Sequence, residues 1–329
     1  MARNITQEYQ LQQRPCLCQE ERCEYSNPMN RRHFIQTTAI AAAAGSLTPL
    51  RAAQAAEEKP KVVSWPIGCL NRPWAGDKRN WGYDAALDGI KAAGYKITGL
   101  LTRTPKEPFT GADATPEYLA ELKKKIAARG LAVNMAALRT KEELPIAEQI
   151  KEMRKQIDNA KFMEVEFLLT FGVNKAEHYE NYYQLMRDAA AYSQERGMKL
   201  VLKPHGGASG ASEEIVRCME KVKHPNFKIW FDAGNIIFYT GKDPLEQLKP
   251  IVQHVTGFCA KDCDKQKGDV WLEFGKGKVD FRAIFAEMKR AGFNGPIMVE
   301  CCELGDTPEI VTANARKNRE YLEKIFAMI

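Results

Sequence analysis

Three apolar runs of this chain end in side chains that can do chemistry. Residues 200–207 read LVLKPHGG, so one run leads into Lys203 and, two residues later, His205. The others end at Asp232 in FDAGN and at Glu300 in GPIMVE. Such runs are typical of strands buried on both faces, where an unpaired ammonium or carboxylate is costly. Together these groups could transfer protons and stabilise developing negative charge.

Further charged groups follow other apolar runs. Arg103 and Arg139 each come after one, and the run VTGFCAK places Cys259 and Lys261 on one face because strand side chains alternate. Taken alone, each arginine is better explained by an ion pair at the rim. Asp232 is also consistent with a helix N-cap, and Lys261 with a surface turn. The joint pattern of charged ends on apolar strand bodies favours a functional site.

Short apolar runs alternate with helical segments from residue 61 onwards, and several helical segments end in a glycine, a common C-cap. Eight such repeats predict a parallel sheet closed into a single (β/α)8 TIM barrel. An open doubly wound sheet is the alternative, but no Gly-x-Gly-x-x-Gly turn follows the first strand. The active site of a barrel lies at the carboxyl ends of its strands. The predicted strands are 62–66, 97–102, 131–137, 165–171, 199–203, 228–232, 255–261 and 296–300.

The N-terminal part predicts export. Residues 29–55 combine a paired arginine, an apolar alanine-rich stretch and an Ala-Gln-Ala site, the layout of a twin-arginine signal. The apolar stretch is shorter than the roughly 20 residues of a membrane-spanning helix. We therefore expect a periplasmic protein, membrane-tethered if the signal stays uncleaved. Residues 1–28 are interpreted as a gene-model extension or a disordered segment, and residues 56–329 as the barrel.

Composition excludes one class of partner. The net charge of +6 is mild and dispersed, so nucleic acid is not expected to bind. No stable membrane span is expected after cleavage of the signal. A homo-oligomer is compatible with the sequence.

The segment from about residue 61 to 329 resembles the xylose isomerase-like barrel superfamily, often described as sugar phosphate isomerases/epimerases and including D-tagatose 3-epimerase-like enzymes. The motifs that carry the resemblance are LVLKPHGG, FDAGNIIFYTGKDP, FCAKD, FGKGKVDF and GPIMVE. Catalytic members hold one divalent metal with a Glu, an Asp, a His and a Glu from strands 5 to 8. The resemblance implies a small carbohydrate substrate.

This chain departs from that pattern at half of the metal positions. Asp232 and Glu300 match the family ligands, whereas Lys203 stands at the glutamate position of strand 5 and Cys259 at the histidine position of strand 7. Asn235 replaces a frequent substrate-binding histidine. Cysteine can itself bind zinc, so the resemblance implies one divalent ion, zinc or manganese, on Asp232, Cys259 and Glu300. Lys203 argues against that ion because its ammonium would take the place of the metal's charge.

The resulting hypothesis is an exported sugar isomerase or epimerase acting next to a sugar carbonyl. Glu300 would be the base, Lys203 the electrophile or partner acid, and His205 the second proton carrier. The excess of cations favours an acidic sugar, and proton removal next to a carbonyl is compatible with a keto sugar. A keto-sugar lyase or hydratase and a non-catalytic sugar-binding barrel stay open, whereas the four histidines after residue 55 are too few for the trinuclear zinc site of endonuclease IV-type repair enzymes. The predicted substrate-binding residues are Arg103, Arg139, Asn235, Lys261 and Trp74.

Overall fold

The computed structural model describes residues 63–75 and 81–329. The predicted export signal at 29–55 and the extension at 1–28 lie outside the described residues, so both stay predictions. Within the described part, no helix is both long enough and apolar enough to cross a membrane.

Eight parallel strands close into one barrel, in which each strand pairs with its neighbours in sequence and β8 pairs with β1. This confirms the predicted (β/α)8 TIM barrel and excludes the open sheet. The strands are Ile67–Leu70 (β1), Ile97–Leu100 (β2), Ala132–Ala137 (β3), Phe167–Thr170 (β4), Lys199–Leu202 (β5), Phe227–Phe231 (β6), Val255–Ala260 (β7) and Ile297–Val299 (β8).

Helices fill the connections, and most present an apolar stripe to the outside of the barrel. Gly94, Gly130, Gly197 and Gly292 follow helix ends with positive φ, as the sequence predicts for C-caps. The described helices are Arg72–Ala75 (α1), Gly82–Ala92 (α2), Pro116–Ala128 (α3), Ile146–Phe162 (α4), Tyr179–Glu195 (α5), Ser212–Val222 (α6), Ala233–Thr240 (α7), Pro244–Leu248 (α8), Phe281–Arg290 (α9) and Pro308–Met328 (α10).

The first strand lies later than the sequence predicts. Residues 63–66 are not part of the sheet, and β1 begins at Ile67. Trp65 instead packs edge-on against Phe285, Phe293 and Phe326, with its indole N–H donating to the carbonyl of Phe293 at 2.9 Å. For the described residues 63–66 the prediction of a strand was wrong, because Trp65 packs against α9 and α10 and sheet pairing starts only where the Pro66 carbonyl accepts the Ile297 N–H at 2.8 Å.

The barrel interior is apolar below its carboxyl ends. Its packed side chains include Met135, Phe167, Leu169, Trp230 and Met298, all fully or nearly fully buried. A Cβ added at Gly257 would lie 2.2 Å from the Trp230 ring, so the glycine makes room for the indole. Because this layer is filled, these side chains leave no room for a ligand among them, and the charged carboxyl ends of the strands are the position expected for a site.

Candidate active site

Four charged side chains follow consecutive strands and meet at the carboxyl end of the barrel. Lys203 follows β5, Asp232 follows β6, Lys261 follows β7 and Glu300 follows β8. Each residue is 3% exposed or less. We call these four residues the charge cluster. Cations and anions alternate in this order around the barrel, so each charged group has groups of opposite charge as its neighbours.

Each lysine contacts both carboxylates. The Lys203 Nζ lies 3.0 Å from the Asp232 Oδ2 and contacts the Glu300 Oε2. The Lys261 Nζ lies 2.8 Å from the Glu300 Oε1 and 3.3 Å from the Asp232 Oδ2. Around Asp232 Oδ2 these are ionic contacts rather than directed hydrogen bonds. The two ammonium groups therefore bridge the two carboxylates.

Neighbouring charges keep Lys203, Lys261 and Glu300 ionised. Burial alone would raise the pKa of Glu300, but Lys203, Lys261 and Arg72 hold that pKa well below its usual range. Burial alone would lower the pKa of Lys261, but Asp232 and Glu300 outweigh burial and raise it. Burial alone would also lower the pKa of Lys203, but the carboxylates of Glu300 and Asp232 help to hold it well above its usual value.

Glu300 has two further donors. The Arg72 Nη1 and the Cys259 Sγ each lie 2.8 Å from one of its oxygens, Oε1 and Oε2 respectively. Arg72 was not among the predicted site residues. It follows β1 by two residues, so the rule that located the other strand-end groups could have located it as well.

Asp232 serves both functions that the sequence allowed. Its Oδ1 accepts the backbone N–H of Asn235 at 2.8 Å and caps α7, while its Oδ2 faces the lysines. Gly234, in the same first turn, lets Lys261 approach, since an added Cβ would lie 2.7 Å from the Lys261 carbonyl oxygen. The cap thus aims the carboxylate into the charge cluster.

One wall of the site is formed by His205, Asn235 and Tyr239. The Asn235 side chain accepts from the Lys261 Nζ and donates to the Pro204 carbonyl, both at 2.7 Å. The Tyr239 hydroxyl lies 2.9 Å from the His205 Nε2. Burial and the charges of Lys203 and Lys261 lower the pKa of His205 to about 3. The imidazole is therefore neutral at physiological pH.

Above the charge cluster lies a cavity of about 450 Å³. Five residues that the sequence analysis named as site candidates line it: Lys203, His205, Asn235, Lys261 and Glu300. Arg139 lines it too, with its guanidinium 4.8 Å from the Phe171 ring centroid and an N–H donating to the Leu101 carbonyl at 2.8 Å. The other lining residues are Arg72, Leu101, Thr102, Phe171, Phe238, Tyr239 and Val270.

Two predicted substrate-binding residues do not line this cavity. Trp74 is fully buried, and its indole fills the space beside Gly89, where a Cβ would lie 2.5 Å away. Arg103 donates to the Ala137 carbonyl at 2.8 Å and to the Gln156 side chain at 2.9 Å, so it braces the end of β3. Trp74 therefore acts in packing, whereas Arg103 is partly exposed and acts through hydrogen bonds.

Asp262 organises the loop after β7. It is fully buried, and its two oxygens accept four backbone N–H groups, so it does not sit in a surface turn. The donors are Cys263, Gly275, Gly277 and Val279, at 2.8 to 3.1 Å. The loop carries Val270 to the cavity wall and Trp271 to within 4.7 Å of the Arg72 guanidinium.

The three predicted metal ligands are close together. One oxygen or sulfur atom from each of Asp232, Cys259 and Glu300 lies within 4.8 Å of the others. However, two carboxylates here already face three cations, Lys203, Lys261 and Arg72. Burial also raises the pKa of the Cys259 thiol well above its usual value, so the thiol is a neutral donor. These residues therefore do not fit a divalent ion while both lysines stay in place.

The comparisons with known proteins agree with this fold. A family model described as xylose isomerase-like TIM barrel matches residues 87–325. An inosose dehydratase of Clostridium perfringens (strain ATCC 13124) is 29% identical over 141 residues, 38% of this chain and 47% of that protein. The chain thus spans about half the length of this relative.

Two solved structures share the fold. A D-allulose 3-epimerase from Methylomonas sp. has a TM-score of 0.63 and 17% identity, over 80% of this chain and 100% of its own. A xylose isomerase-like TIM barrel protein from Mycobacterium smegmatis in complex with magnesium has a TM-score of 0.64 and 16% identity, over 80% and 97%. At such identities the likeness shows the fold alone. Because the family model matches most of the chain, the protein belongs to the xylose isomerase-like TIM barrel family.

Proposed function

We propose that the protein is a sugar isomerase or epimerase that moves a proton on the carbon next to a sugar carbonyl. The observation that carries this proposal is one cavity lined by two buried ammonium groups and a neutral imidazole. Such a cavity offers both an electrophile and a proton carrier. The names of the relatives, inosose dehydratase and D-allulose 3-epimerase, support an enzyme of this kind.

The lysines supply the electrophile. Removing a proton next to a carbonyl places negative charge on the carbonyl oxygen, and fixed cations at that oxygen lower the barrier. Both Lys203 and Lys261 line the cavity and are held in place by Asp232 and Glu300. A substrate oxygen that reaches both ammonium groups would meet two positive charges that are already in position. The site would then not have to rearrange as negative charge develops on that oxygen.

His205 is the better proton carrier. Both oxygens of Glu300 accept from charged donors, so the carboxylate is taken up by three cations, which differs from the role that the sequence suggested. His205 forms no ion pair among the described residues and is unprotonated at neutral pH. A bound anion would offset the charges of Lys203 and Lys261 and so raise the basicity of His205. Glu300 then acts by positioning the lysines.

The charge around the cavity favours an acidic substrate. Four cationic side chains and two carboxylates surround it, so the site carries excess positive charge. A sugar with a carboxylate, such as a uronate, would balance that excess. The cations are Arg72, Arg139, Lys203 and Lys261, and the carboxylates are Asp232 and Glu300.

A lyase reaction is the second candidate. The observation that favours it is the identity to an inosose dehydratase. Elimination of water from a keto sugar begins with the same proton removal, and the hydroxyl on the next carbon then leaves. The two reactions would use the same residues and differ in the fate of the enolate.

The test is proton exchange with D2O. Keto sugars and uronates would be incubated with the full chain and followed by proton and carbon NMR. We expect wild type to exchange the C–H next to the carbonyl of at least one of these sugars, and His205→Gln to exchange it about 10²- to 10⁴-fold more slowly. His254→Gln is the matched control, because His254 is exposed and does not line the cavity.

The products separate the candidates. Retention of all hydroxyl groups indicates isomerisation or epimerisation, whereas loss of one indicates elimination. If wild type exchanges no proton on any of these sugars but binds one of them, the enzyme proposal is refuted and the sugar-binding barrel is favoured.

A further inference from the structure

The metal position of the barrel already holds two positive charges. Lys203 and Lys261 enter it from β5 and β7, on either side of Asp232 from β6. The Lys203 Nζ contacts an oxygen of each carboxylate, Asp232 Oδ2 and Glu300 Oε2, and Cys259 donates to that same Glu300 oxygen. A metal ion bound by Asp232, Glu300 and Cys259 would need the space that the Lys203 ammonium occupies.

We infer that Lys203 and Lys261 together replace a divalent ion, holding the two carboxylates in its stead and excluding metal from this site. The inference concerns what binds Asp232 and Glu300, and it stands whether or not the proposed reaction is correct. It goes further than a single substituted ligand, because the second ammonium, from Lys261, bridges the same two carboxylates as the first.

The lysines are seated so that neither swings aside easily. Lys203 is 1% exposed and lies beneath the Phe171 ring, with its Nζ 5.8 Å from the ring centroid. Lys261 is held by the Asn235 side chain at 2.7 Å and packs on Gly234, where a Cβ would lie 2.9 Å from the Lys261 Cγ. A lysine that moved out would leave two buried carboxylates with less compensation.

The net charge of the site argues against a divalent ion, as does the lack of space for one. Arg72 adds a third cation on the Glu300 Oε1 at 2.8 Å, so cations outnumber carboxylates before any ion arrives. The thiol of Cys259 would also have to lose its proton before it could bind a metal. A divalent ion would therefore enter a site that already carries net positive charge.

Metal loading tests the inference without a substrate. The full chain would be equilibrated with excess Mn²⁺ or Zn²⁺ and freed of unbound ion. Bound metal would then be quantified by elemental analysis, and the melting temperature compared with and without ion. We expect wild type to hold no stoichiometric metal and to melt at the same temperature in both conditions. Lys203→Glu should bind one ion per chain and melt higher when the ion is present.

Lys199→Glu is the matched control. Lys199 lies on the same strand with its side chain 47% exposed, so this variant makes the same charge change away from the site. It should stay free of bound metal.

Two outcomes overturn the inference. One is a stoichiometric ion on wild type that is lost in Asp232→Asn. The other is a Lys203→Glu protein that unfolds cooperatively yet binds neither ion, and that still binds neither when Lys261→Gln is added, which would show that the two lysines are not what keeps metal out. If Lys203→Glu fails to fold, the wild-type loading alone decides, since bound metal refutes the inference and its absence in excess ion supports it. Failure of the proposed function would show only in the exchange assay.

Discussion

Two fully buried aspartates follow adjacent strands of the barrel and are compensated in different ways. Asp232, after β6, faces the ammonium groups of Lys203 and Lys261 at 3.0 and 3.3 Å. Asp262, after β7, accepts four backbone N–H groups from its own loop. The first region balances charge with charge, and the second balances charge with peptide dipoles.

This difference distinguishes a functional site, around Asp232, from a structural element, the loop held by Asp262. Buried ion pairs rarely stabilise a fold more than apolar residues of similar size would, so the charge cluster is poorly explained by stability alone. Its lysines also line the cavity, where their charge can act on a ligand. The N–H groups around Asp262 instead fix the path of the loop at 263–279. We therefore expect the two regions to respond differently to substitution.

The largest effect is expected for Glu300→Gln. This change leaves Lys203, Lys261 and Arg72 with one buried carboxylate instead of two, and breaking a buried pair in this way costs about 3 to 5 kcal/mol. The free energy of unfolding from urea titration would measure the loss. Glu303→Gln is the control, because Glu303 is a surface residue paired with Lys276 and its loss should cost less than about 1 kcal/mol. Equal effects of the two changes would contradict the importance of the charge cluster.

An intermediate effect is expected for Asp262→Asn. The amide would turn one acceptor into a donor facing two backbone N–H groups, and losing charge-assisted hydrogen bonds costs about 1.5 to 3 kcal/mol. Hydrogen exchange should become faster at Gly275, Gly277 and Val279, which now donate to Asp262. Unchanged exchange there would show that other contacts hold the loop. Asp264→Asn, at a partly exposed residue of the same loop, is the control.

The strand ends that meet could be predicted from the sequence, but their pairing could not. Apolar runs place Lys203, Asp232, Lys261 and Glu300 after consecutive strands, and closure of a barrel brings such ends together. The bridging of both carboxylates by both lysines depends on rotamers and on the close approach at Gly234, which a one-dimensional pattern does not contain.

Residues from loops and helices were harder to predict. Trp74 stands in a loop-like sequence, yet α2 covers it, because Gly89 leaves room for its indole. Tyr239 lines the cavity since it lies four residues after Asn235 on α7, and residues at that spacing share one helix face. The helical spacing from Asn235 could have predicted the position of Tyr239. The burial of Trp74 instead depended on a contact with Gly89, which is distant in sequence.

The smallest effect is expected for Cys259→Ala. The thiol is fully buried, and its contribution to the charge cluster is one hydrogen bond to the Glu300 Oε2 at 2.8 Å. Losing that bond should lower the free energy of unfolding by about 1 kcal/mol beyond the effect of packing. Cys218→Ala measures packing alone, because Cys218 is equally buried but lies on α6. The difference between the two variants, from paired urea titrations, isolates the hydrogen bond. Bound metal that disappears in Cys259→Ala but not in Cys218→Ala would make the thiol a ligand instead of a neutral donor, and would remove the contrast between the charge cluster and a metal site.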